Sequence, residues 1–248
     1  MAIDDLPADL APLTLPPLSY LQCEHVENLQ WYGPQKLHPT HFGDRLNNNR
    51  FTVVAKLDHQ NHSTSWLCRD TARHQWRRID NIHASNDIKR AKVRAFRESM
   101  DERYAVRGRL TSEALQADAD TAGLPIEMFA ERGPNGEHVC VVFSLNGCWN
   151  SFRCEIWDKT LMDERWFVRE CAKLREGVAP ESVHVITEEE MVRILGRPQI
   201  IEVTDKLWER VVITDGIQRD QVPRYLVLRP ERIEEDFEFW LSAKAFDG

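Results

Sequence analysis

The chain has six cysteines, Cys23, Cys68, Cys140, Cys148, Cys154 and Cys171, and no two stand at C-x-x-C spacing. That removes zinc-ribbon and thioredoxin-type readings and predicts reduced, buried thiols. No apolar run is long enough to span a bilayer, so no membrane span is expected. The first twenty residues lack the basic n-region of a signal peptide and carry Asp4, Asp5 and Asp9 instead, which predicts an intracellular protein. A basic excess is missing too. The formal net charge is −8, which argues against a nucleic-acid or membrane-surface partner. His38/His41 and His59/His62 are each three apart, but no cysteine or acidic cluster completes either pair, so solvated or hydrogen-bonded histidines are expected and no metal. There is no internal repeat and no low-complexity tract. Glycine is scarce, 11 in 248 residues, and is absent from Phe51 to Asp70. What is present is an ordinary globular composition, 42% hydrophobic and 29% charged, with room for one large domain or two small ones.

Residues 1–20 are rich in Pro, Leu and Asp with little periodicity and read as a mobile tail. Pro34, Pro39 and Gly43 punctuate Glu27–Leu46, which reads as an extended arm. Phe51–Leu57 and Ser65–Arg69 alternate and carry Val, Thr and Trp; each reads as a strand, with a hairpin loop between. A third strand is expected around Trp76–Ile82. Asn86 or Asp87 can cap a helix running to about Arg103, with Ile88, Val93, Phe96 and Met100 near helical spacing. Ile126–Glu131 and His138–Phe143 flank Gly-Pro-Asn-Gly at 133–136, a strong hairpin signal. Met162–Arg175 reads as a helix. Thr187–Gly196 reads as another, with Thr187 as N-cap, Glu190 three residues on and Gly196 as the stop. Ile200–Val203 and Arg224–Val227 read as short strands.

The strings RFTVVAKL and STSWLCRD resemble the strands on either side of a protein kinase's glycine-rich loop. YGPQKLHPTHFGDRL before NNNRFTVVAKL, GPNG-x-H-x-C-x-V-F at 133–143, and the later Glu188–Glu190, Ile194–Gly196, Pro198 and Pro223–Val227 resemble the SR-protein-kinase-like family, in the divergent form found in filamentous fungi. The resemblance covers residues 27–147 well and 186–228 moderately. It implies an α+β fold: a kinase-like N-lobe with a five-stranded antiparallel sheet and one main helix at 46–147, preceded by a tail and extended arm at 1–45 and followed by an incomplete, mainly helical C-lobe at 148–248, as in a C-terminally truncated member.

The resemblance also says which residues should touch a nucleotide. Phosphoryl transfer is mostly positioning and charge neutralisation, and loop glycines let backbone N–H groups approach phosphate. In the family frame the positions are Leu57, Asp58, Gln60, Ser65, Asp80, Glu98, Phe143 and Leu145. The first two loop glycines fall on Asp58 and Gln60, and the anchoring lysine falls on Asp80. The helix glutamate falls on Glu98, so two carboxylates replace an ion pair. Arg77 or Arg78 could substitute for the lysine if the register slips. No His-x-Asp catalytic loop and no Asp-Phe-Gly follow Gly147; Arg175–Glu181 is the nearest echo, and Phe246-Asp247-Gly248 has related letters in the wrong order.

No catalytic residue and no metal ligand is therefore assigned. Three readings follow: an inactive, pseudokinase-type interaction protein; a Ser/Thr kinase, with MgATP as cofactor, whose catalytic segment is missing from this gene model; or a decayed paralogue. Leu145, Trp149, Trp157 and Trp166 are expected to lack cover, which predicts a protein partner or self-association unless Phe237, Phe239, Trp240 and Leu241 fold back over them.

Overall fold

The structure, a computed structural model, describes residues 8–15, 26–106, 125–144, 186–211 and 217–228. The expected helix at Met162–Arg175, and Leu145, Trp149, Trp157, Trp166 and the aromatic residues of 237–241, lie outside the described residues.

The core is a large antiparallel sheet. Its strands are β2 (Arg45–Leu46), β3 (Phe51–Gln60), β4 (Ser63–Asp70), β5 (Gln75–Ile82), β6 (Pro125–Gly133) and β7 (Gly136–Ser144), in spatial order β2-β3-β4-β5-β7-β6. A second, smaller sheet joins β1 (Leu13–Leu15), β8 (Gln199–Glu202) and β9 (Tyr225–Val227). The helices are α1 (Asn86–Val106), α2 (Glu188–Leu195) and α3 (Asp205–Val211).

The five strands expected are there, and the sheet has a sixth. Asn47, Asn48 and Asn49 all take positive φ, which lets the chain reverse tightly and lay Arg45–Leu46 against Phe51–Thr52. Asparagine tolerates that region better than most residues with a Cβ. The tail differs as well: Leu13–Leu15 is not a loose end but a strand running parallel to β8, with the Leu13 N–H donating to Pro198 O at 2.9 Å. The described part of residues 148–248 is mixed rather than mainly helical, two α-helices and one short 3-10 turn with two strands.

Alternation along each strand explains how the layers stack. On one face of the large sheet, Phe51, Val53, Trp66, Cys68, Ile79, Cys140 and Val142 pack under Ile200 and Val227 of the small sheet. Ile200 and Val227 are cross-strand partners and point inward; their neighbours Ile201 and Leu226, also partners, point outward. That outer side is covered by the arm, through Val26, Leu29, Tyr32 and Leu37, and by Leu207 of α3. On the other face of the large sheet, Ile88 and Phe96 of α1 pack on Ile82, Val141 and Phe143. Met191 and Val192 of α2 pack with Leu57, Leu67 and Trp76 at the other end. A capping box fixes the start of α2: Thr187 Oγ1 accepts the Glu190 N–H, and Glu190 accepts the Thr187 N–H. The Trp76 indole N–H donates to Ile186 O at 3.0 Å, which seats that start against the sheet.

Candidate functional site

Three of the positions that the resemblance assigns to nucleotide contact, Asp58, Ser65 and Asp80, form a row on the helical face of the large sheet. Asp58 pairs with Ser65, Ser65 with Asp80 and Asp80 with Val141, so these four side chains share one side of adjacent strands. Asp58, Ser65 and Asp80 are all buried. Ser65 Oγ donates to Asp80 Oδ1 at 2.8 Å. One row along, Leu67, Arg78 and Phe143 are paired in the same way.

Asp80 does not meet Glu98. It holds Arg78, two residues back on the same face, with Arg78 Nε 3.0 Å from Asp80 Oδ1 and Nη2 donating to Oδ2 at 3.2 Å. The Arg78 guanidinium lies over the Phe143 ring, 4.2 Å from its centroid. Glu98 is on α1 and exposed. The like-charge pair expected from the family frame is replaced by an ion pair within one strand, and that relieves the repulsion without moving the helix. Gln60 is exposed near the hairpin tip, Leu57 belongs to the core with α2, and Leu145 lies outside the described residues.

A phosphate-binding loop needs N–H groups that approach without obstruction and a cation that neutralises charge. Here the row presents two carboxylates, and the nearby guanidinium is already committed to one of them. Among the described residues no group of three or more His, Cys, Asp or Glu could hold a metal ion. Cys68 and Cys140 are free and buried, and burial pushes both thiols up, away from reactivity.

A second constellation was not foreseen. Three stretches that carried the resemblance, the arm, the Gly-Pro-Asn-Gly turn and Pro223–Val227, hold one another. Asn135 at the turn donates its amide to Leu37 O in the arm and to Gln221 O, and its own carbonyl accepts the Gln35 N–H at 2.7 Å. His41 Nε2 accepts the Arg224 N–H at 3.0 Å, and the Phe42 N–H donates to Tyr225 Oη at 3.1 Å. Asp44 Oδ2 accepts the His41 N–H at 2.7 Å, closing the arm's own turn. These residues are therefore a clamp joining the arm, the hairpin tip and the small sheet. No spacing rule could reveal it, because its members are about 100 and 180 positions apart.

Gly133 shows how tightly the clamp closes. A Cβ there would come within 2.6 Å of His38 Nε2. The His38 ring cannot retreat, since it packs on His138 at 4.9 Å between centroids and its Nδ1 is bonded to Pro39 O at 2.8 Å. Gly133→Ala is expected to cost about 1–3 kcal/mol, the usual range for overpacking a filled site, measured by urea denaturation.

No protein-family model matches the chain. Curated relatives do. Protein kinase dsk1 of Schizosaccharomyces pombe is 26% identical over 128 residues, covering 50% of this chain and 21% of that protein. Serine/threonine-protein kinase SKY1 of Saccharomyces cerevisiae is 24% identical over 199 residues, 73% of this chain and 25% of that protein. Serine/threonine-protein kinase spk-1 of Caenorhabditis briggsae is 23% identical over 197 residues, 72% of this chain and 16% of that protein. The chain thus spans a quarter or less of the length of these relatives. They relate it to the SR-type protein kinases, including the fungal type, and the β-rich fold with its packed helix is compatible with a kinase N-lobe.

Proposed function

We propose that this kinase-related chain works as a pseudokinase-type interaction protein inside the cell, without phosphoryl transfer. The observation that supports the reading best is the buried Asp58–Ser65–Asp80 row, with Arg78 neutralising Asp80 instead of a nucleotide phosphate. The clamp adds support: the residues most like those of the family hold layers together rather than pointing at a substrate. The role left to such a scaffold is to bind another protein or a second copy of itself.

The test is thermal unfolding with and without MgATP. Normal binding at tenfold excess over the dissociation constant would raise stability by about 1.4 kcal/mol, or a few degrees for a chain of this size. No shift is expected. A shift of that size would overturn the reading. Light scattering of the purified chain addresses the interaction role, and a monodisperse monomer that captures no partner would count against it.

The names of the relatives favour a second reading, an ATP-dependent Ser/Thr protein kinase in a longer form of the protein. It predicts that a transcript read across the codons for 148–186 contains a segment encoding His-x-Asp, and that the longer protein phosphorylates a serine-rich peptide. Recovery of neither leaves the first reading.

A further inference from the structure

Where the arm crosses the hairpin of β6 and β7, histidines collect. His138 of β7 is fully buried. Its Nδ1 is bonded to Ile82 O at 3.1 Å, while its Nε2 is buried and has no hydrogen-bond partner. The His38 ring of the arm covers it, tilted 56° to it. His83, just past β5, lies edge-on to His62, with centroids 5.9 Å apart. The backbone of the arm is pinned at the same place: the Gln35 N–H donates to Asn135 O and the Ala84 N–H donates to Lys36 O at 3.1 Å.

We propose that this stack is an acid-released latch: with the histidines neutral it holds residues 33–44 on the hairpin, and with His138 protonated it lets the arm go while the two sheets stay folded. The geometry carries the argument. An imidazolium at 138 would put a second N–H into a site with no acceptor, under the face of another imidazole. A buried donor without a partner is costly, and lifting the arm is the motion that brings water to it.

The surrounding charges do not rescue the cation. From the arm come Lys36, His38, His41 and Asp44; from the ends of β4 and β5, His62 and His83; from α1, Lys89; from β6, Glu131, directly across from His138. The acids are engaged elsewhere: Glu131 Oε2 accepts the Asn47 N–H at 2.7 Å and Asp44 holds the His41 N–H. Lys89 donates to Glu137 O at 2.7 Å. Burial, then the neighbouring histidine His38, holds His138 down to about 4, and burial, then His62, does the same for His83, to about 4. Burial also lowers His38.

The direction follows from linkage. A histidine depressed in the folded state gives stability that is complete above its free value near 6.5 and is lost as pH falls from there toward about 4. At pH 5.5, protonation of His138 alone favours the released arm about tenfold over pH 7.5.

Hydrogen exchange tests this on the native chain. Protection factors, corrected for intrinsic exchange, are expected to fall about tenfold from pH 7.5 to 5.5 at the Gln35 and Ala84 amides. They are expected to hold at Val203 and Leu228, whose N–H groups bond Arg224 O and Gln199 O in and beside the small sheet. His138→Gln should remove most of the fall. An equal fall at all four amides, no fall at all, or a fall that survives His138→Gln would each overturn the latch. Should the variant fail to fold, the His138 imidazole can be titrated by NMR in the native chain; a midpoint below 5 is expected, and one at or above 6.5 would refute the proposal.

Discussion

Glu27→Ala is expected to lower stability by about 3–5 kcal/mol, the usual cost of leaving one member of a buried ion pair alone. Lys56 is 1% exposed and Glu27 2% exposed, so neither can turn to water. Lys56 Nζ lies 2.5 Å from Glu27 Oε2 and also donates to Val227 O at 2.8 Å. One ammonium thus ties three segments, the arm, β3 and β9, between the two sheets. Without Glu27 the buried ammonium loses the counter-charge that lies against it. For a chain of this length the melting temperature should fall by roughly 10 °C. Lys56→Ala should cost a similar amount, since it strands a buried carboxylate and the Val227 carbonyl. The paired replacement Lys56→Met with Glu27→Leu separates burial cost from fit: it should recover most of the loss, because apolar groups of similar volume often replace a buried pair at little net cost. A loss under 1 kcal/mol for either single variant in urea unfolding would show that the pair does not hold the layers.

How far these features could be read in advance depended on their range. The Gly-Pro-Asn-Gly hairpin, the Thr187–Glu190 capping box and the alternating strands are local, so backbone chemistry over a few residues announces them. The small sheet is not local. β1 meets β8 in parallel across more than 180 residues, and a Leu-Thr-Leu triplet in a Pro-rich tail carries no signal of such a partner. The sixth strand depended on three consecutive asparagines accepting positive φ. The resemblance put Asp80 at the anchoring-lysine position and sought its partner on the helix at Glu98. Period-two alternation already put Arg78 on the same face, two residues away, and that nearer charge prevails. Lys56 within VVAKL and Asp70 at the end of β4 each broke an apolar pattern. An interior charge on a strand needs a distant partner, and the sequence alone does not identify it.

Asp70 supplies the other large effect. It is fully buried at the edge where the Asn47–Asn49 turn meets the end of β4. Its carboxylate accepts Arg50 Nε at 3.2 Å and Arg50 Nη2 at 2.6 Å, a two-point pair, and also the Ala72 and Arg73 N–H groups at 3.1 Å each. Arg50 Nη1 donates to Glu127 Oε1 at 2.6 Å, which carries the link on to β6, and the guanidinium lies 4.5 Å from the Phe51 ring centroid. Asp70→Ala should cost about 3–4 kcal/mol, because it removes a charge-assisted pair and leaves two turn N–H groups without their acceptor. Arg50→Lys should cost less than Arg50→Ala but still measurably, since an ammonium cannot match the carboxylate at two points. A double-mutant cycle between Arg50→Ala and Asp70→Ala should give a coupling near 2 kcal/mol; a value near zero would mean that the contacts do not add stability. The pH dependence gives an independent check. Burial would raise the Asp70 carboxyl, but the Arg50 guanidinium and the Arg73 and Ala72 N–H groups outweigh it and hold it below its ordinary value. A depressed carboxyl contributes stability that is present above its unfolded value near 4 and is lost as pH falls below it. The gap between native and Asp70→Ala chains should therefore stay constant from pH 5 to 8 and close only in stronger acid. That window lies below most of the histidine latch's range, so the two devices can be told apart in one titration of stability.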